Sequence, residues 1–140
     1  MTDKNNRDQR PNGFKTMSIL GYISEGLSLA ILAFALVIQI AEGHILTAGL
    51  SLLYLLLAPA AIVAIYMMTE RKSILALNLI RIYLWASIPI GTLYSIVAAA
   101  ESGQVAENMV SIIANIIFLV PVALYWQQRS HSEYLKSFSH

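Results

Sequence analysis

The chain contains no cysteine. Disulfides, thiolate catalysis and cysteine metal sites are therefore excluded, and the redox compartment stays undetermined. Charge is scarce as well. Only 12% of residues are Asp, Glu, Lys or Arg, against roughly 25% in an average soluble domain. Nine cations and eight acids leave a formal charge of +1, which gives no basis for a nucleic-acid partner. The motifs of common enzymes are missing: there is no HExxH, no glycine-rich phosphate loop, no GxSxG and no histidine inside an apolar run to hold haem. No catalytic role and no cofactor are expected.

What is present is apolar sequence, 57% of the chain. Four segments, 17–41, 45–68, 74–99 and 105–126, are each long enough to cross a hydrocarbon core about 30 Å thick. Unpaired backbone is not tolerated in lipid, so the spans are expected to be helices. Connections this short make sequence neighbours antiparallel. The fold class expected is an all-α integral membrane protein, four transmembrane helices in an antiparallel up-down bundle. A disordered tail is expected over 1–14, the membrane domain over 15–128 and a short tail over 129–140. The first segment exceeds a signal-peptide core in length and lacks a small-x-small cleavage site, so it is read as a span.

Orientation follows from the cations. Lys4, Arg7, Arg10 and Lys15 precede the first span, Arg71 and Lys72 lie between the second and third, and Arg129 and Lys136 follow the fourth. The other two loops have none. Both termini are therefore expected to be cytoplasmic. Glu42, His44, Glu101 and Glu107 fall on the opposite side. These are ligand types that suit divalent cations, but they lack the spacing of a ligand motif, so the reading is a solvated acidic rim with no metal.

Two charges sit inside the spans. Arg81 lies nine residues beyond Lys72, roughly 13 Å deep at the helical rise, and Glu25 lies ten residues beyond Lys15, about 15 Å deep. A charge at such a depth needs a partner. Matched depth predicts a Glu25–Arg81 ion pair, with Trp85 placed to cover the guanidinium. Ser18, Gly21, Glu25 and Ser28 share one face of the first helix. The second offers Thr47, Ser51, Tyr54 and Ala58, the third Asn78, Arg81, Trp85 and Thr92, the fourth Asn108, Ser111 and Asn115. These stripes are expected to turn inward as interhelical contacts, which makes Ser28, Asn78, Trp85, Tyr54 and Asn115 the candidate polar interior around the pair.

Pro59, Pro89 and Pro121 fall within the later spans and favour kinks. Tyr66, Tyr94 and the Tyr125-Trp126 pair read as interfacial anchors. In the C-terminal tail Tyr134, Leu135 and Phe138 recur at helical spacing, which suggests a segment lying on the membrane surface; His131 and His140 are expected in solvent. Each half of the chain has an ionisable residue in its first helix and a proline in its second, a weak sign of a parallel repeat.

Glu25 in helix one of a short four-helix chain, with Tyr83 and Trp85 in helix three, resembles the small multidrug resistance transporters, whose helix-one glutamate exchanges protons for cationic drugs. The likeness covers those scattered positions. That family separates its helix-three tyrosine and tryptophan by two residues and follows them with close glycines, whereas here Tyr83-Leu84-Trp85 runs into SIPIG, and Arg81 has no counterpart. The primary expectation is a non-enzymatic accessory, assembly or partner-binding membrane subunit. The alternative is a small proton-coupled transporter or channel-forming oligomer with Glu25 as the titrating site. Its partners would be the lipid bilayer and either further copies of the chain or a larger membrane complex.

Overall fold

The computed structural model describes residues 10–138. The tail cations Lys4 and Arg7, and His140, lie outside the described residues. Five helices follow in order: α1 (Phe14–Ala41), α2 (Ile45–Thr69), α3 (Ile74–Ser102), α4 (Val105–Gln127) and α5 (Arg129–Lys136). The described residues form no strand. α1 to α4 are long and apolar enough to cross a membrane.

Local chemistry sets the ends of these helices. Gly13 and Gly103, at φ of 78° and 74°, take the left-handed conformation that admits a sharp reversal before α1 and after α3. Ser73 opens α3 by accepting the Ala76 amide at 3.2 Å. Pro59, Pro89 and Pro121 lie inside α2, α3 and α4.

Packing runs in chain order: α1 on α2, α2 on α3, α3 on α4, with no comparable packing of α1 on α4. Small residues allow the close approaches. Ala58, Ala61 and Ala64 line one buried face of α2, and at Gly21 of α1 a Cβ would stand 2.9 Å from Ile65 Cδ1. Tyr22 meets Thr69 at one end of the α1–α2 pair, and Gln39 meets Ser51 at the other.

The apolar core is gathered at one end. Phe14, Ile65, Met68, Leu77, Trp126 and Leu135 belong to a single buried cluster, drawn from the start of α1, the end of α2, the start of α3, the end of α4 and α5. This is called the Phe14 end below. Large apolar side chains elsewhere face outward, as at Phe34, Leu56 and Ile117, and such a surface suits lipid.

The C-terminal segment differs from expectation. α5 folds back on the bundle with His131, Tyr134 and Leu135 buried. Its apolar face meets Phe14 and α3 instead of being left for a membrane surface, so His131 is not solvated: it is fully buried.

Candidate functional site

Beyond the Phe14 end the helices stand apart and line an open cavity of about 820 Å³. α1 contributes Ser18, Gly21, Glu25 and Ser28, the face marked out by its spacing. Tyr54 comes from α2, and Asn108, Ser111 and Asn115 from α4. Leu20, Leu57, Ile80, Leu84 and Phe118 make much of the wall apolar. Trp126 lines its Phe14 end.

α3 turns a different face to the cavity from the one expected. Tyr83, Ser87, Gly91 and Tyr94 line it, whereas Asn78, Arg81 and Trp85 do not. Arg81 and Tyr83 are two residues apart, about 200° around a helix, so they cannot look the same way. No Glu25–Arg81 ion pair forms; the ion pairs among the described residues include His44–Glu42 and Arg129–Glu133. Matched depth did not imply matched direction.

Instead, Arg81 serves the α4–α5 junction. Its Nε donates to the Trp126 carbonyl at 2.8 Å, Nη2 to the Gln128 carbonyl at 3.1 Å and Nη1 to Asn78 Oδ1 at 3.3 Å. The carbonyls at a helix C-terminus lack intrahelical donors and carry partial negative charge, so a guanidinium is a fitting partner. Trp85 does not cover that guanidinium: it is about two-fifths exposed and donates to Gln127 Oε1 at 3.3 Å.

Glu25 has a single partner, the Tyr83 hydroxyl, which donates to Oε2 at 3.2 Å. Among the described residues lining the cavity it is the one carboxylate, and no lysine, arginine or histidine accompanies it. Nearby hydroxyls are engaged within their own helices: Ser18 donates to the Phe14 carbonyl at 2.8 Å and Ser87 to that of Tyr83 at 2.6 Å. Asn115 lines the wall, but its Nδ2 is buried without a partner, and a Cβ at Gly91 would come within 2.5 Å of it.

Toward the opposite end, Tyr94 accepts from Gln39 Nε2 at 2.7 Å and lies 3.0 Å from Ser51 Oγ, with Tyr54 packed edge-on at 6.1 Å. It is a strut between three helices, where an interfacial anchor was expected. Glu101 accepts the Leu46 and Thr47 amides and the Thr47 hydroxyl, so it caps the start of α2. With Glu101 so occupied, no group of metal-ligating side chains is assembled among the described residues.

A largely apolar chamber with one carboxylate is a binding geometry. It can hold a hydrophobic molecule and orient it through a cation or hydrogen-bond donor at Glu25. No protein-family model, curated protein or solved structure matches the chain. Tyr83, which the residue pattern left out of the candidate interior, has a legible signal in hindsight: Tyr83, Ser87, Gly91 and Tyr94 form a polar and small stripe at i, i+4, i+8 and i+11.

Proposed function

We propose that this chain is a membrane protein of antiparallel up-down topology, with both termini in the cytoplasm, that binds a small hydrophobic molecule carrying a cationic or hydrogen-bond-donating group and passes it across or out of the bilayer. Glu25 is the anchor, and a proton taken up by Glu25 in exchange releases the ligand. Topology rests on the distribution of Lys and Arg. The single observation behind the ligand class is that Glu25 faces the cavity while Arg81 is turned to the α4–α5 junction. A permanent cation beside the carboxylate would have repelled such a ligand.

The test is equilibrium binding of a hydrophobic tertiary amine and of its uncharged carbon isostere to the purified protein in lipid nanodiscs, followed by proton-driven uptake of the amine into proteoliposomes. The amine is expected to bind more tightly than the isostere by about tenfold or more, the value of a charge-assisted contact. Equal binding of the two would remove Glu25 as the anchor.

The accessory-subunit reading is favoured by a different observation. α1 and α4 do not pack on each other as the other neighbours do, and the most apolar window of α1 has no buried residue. A span from a partner would fit that side. Copurification of one stoichiometric partner in mild detergent, together with no amine binding, is the result that reading predicts.

A further inference from the structure

His131 is the most fully enclosed polar side chain of the Phe14 end. Its ring lies 5.0 Å from that of Trp126, 4.6 Å from that of Tyr125 and 6.1 Å from that of Phe14, which stacks on it. Nδ1 is 3.3 Å from the Gln128 carbonyl, and Nε2 is buried with no partner. Phe14 and Trp126 also meet edge to face at 5.6 Å. The imidazole thus packs on Trp126, which lines the cavity at this end, and on Phe14 beside it.

The surroundings suit a neutral imidazole. From α3, Arg81 directs its guanidinium to the Trp126 and Gln128 carbonyls beside the ring. α1 supplies Phe14, with Lys15 exposed next to it. α4 supplies Tyr125, whose hydroxyl donates to the Asn12 carbonyl at 2.8 Å. On α5, Tyr134 packs on Phe14, Arg129 and Glu133 pair at the exposed surface, and Lys136 is exposed. From the α2–α3 connection Lys72 stands over the Tyr134 and Phe138 rings, with Glu70 and Arg10 within electrostatic reach of it. The one acid on α5 is already paired, and a cation on His131 would find no carboxylate waiting. Burial, the largest cause, pushes the His131 pKa down; the Gln128 carbonyl opposes it in part, and the Arg81 charge adds the smallest push downward.

We infer that α5 is a proton-released latch: protonation of His131 frees it from the ring cluster, α5 swings away, and Trp126, which lines the cavity, is released so that the cavity opens toward that end. The sign follows from the lowered pKa. The latch is fully held above the pKa of a solvated imidazole, about 6.5, and is progressively lost as pH falls below it. The inference rests on the proposed ligand cavity only for what the opening admits; the latch itself is measured without ligand.

Because the chain has no cysteine, spin labels can be placed without background. Thr16→Cys on α1 and Ser130→Cys on α5 are both exposed positions. Double electron–electron resonance in nanodiscs should show one short distance near about pH 8 and a longer, released population about tenfold larger near about pH 5. That change should persist with Glu25→Gln and vanish with His131→Phe and with His131→Gln. His131→Gln serves where phenylalanine overpacks the cluster, since only its pH independence is read. An unchanged distance in the wild type, a change that survives both His131 variants, or one abolished by Glu25→Gln would each overturn the latch. Loss of amine binding with the latch intact would instead overturn the cavity's proposed ligand alone.

Discussion

Arg81 and Glu25 carry opposite charges, each within a long apolar helix, yet their surroundings differ in kind. Arg81 has donors on two backbone carbonyls and one amide oxygen. Glu25 has one tyrosine hydroxyl and faces a cavity. A side chain whose valences are taken up by the protein is a structural part, whereas one left largely unsatisfied toward a chamber is available to something else. The same contrast separates the two ends of the molecule. The Phe14 end holds the apolar core and α5, and beyond it the helices part around the cavity.

This contrast is open to attack at both charges. Arg81→Gln removes the tie to the α4–α5 junction and leaves helix-end carbonyls short of donors, so the folded state should lose about 3 kcal/mol, read from chemical unfolding in detergent. Amine affinity measured on the surviving folded fraction should stay within about threefold. Should Arg81→Gln instead leave stability intact and alter affinity, the two charges have been assigned the wrong way round. Tyr83→Phe takes away the partner of Glu25 and is expected to cost about 1 kcal/mol with binding retained, because the carboxylate then has only the ligand to meet.

Smaller effects follow from the Phe14 end. The lowered pKa of His131 makes the neutral ring a source of stability that is fully present above about pH 6.5 and declines as pH falls. The thermal midpoint of the wild type should therefore drop on acidification by more than that of His131→Phe. Parallel curves would mean that the ring is solvated after all. Trp85→Phe should change stability by less than about 0.5 kcal/mol, since its exposed bond to Gln127 is all that is lost. A larger loss would restore the cation–π role expected from its position one turn from Arg81.

Much of this architecture is legible in the residues. The four spans fall within three residues of the observed helices at every boundary, because length and apolar composition leave little choice. Three inward faces are legible too: those of α1, α2 and α4 carry few polar residues, all at helical spacing. α3 carries two polar stripes, and the one with the charge is not the one that faces the cavity. Arg81 finds its partners in backbone carbonyls, which no side-chain pattern announces. The same reasoning explains His131. Tyr134, Leu135 and Phe138 at helical spacing do imply an apolar face, but whether lipid or protein covers it depends on the break at Gln128, where ψ of 138° turns the chain back on itself.

The measurement closest to the centre of the account is a comparison of Glu25→Gln with Arg81→Gln in binding of a hydrophobic tertiary amine to folded protein in nanodiscs. Glu25→Gln keeps a hydrogen-bond acceptor for Tyr83 and removes the charge. The account predicts that its affinity falls about tenfold or more while its thermal midpoint holds, and that Arg81→Gln shows the reverse pattern. Amine binding that is indifferent to Glu25→Gln would contradict it, and would leave the cavity as packing space between helices.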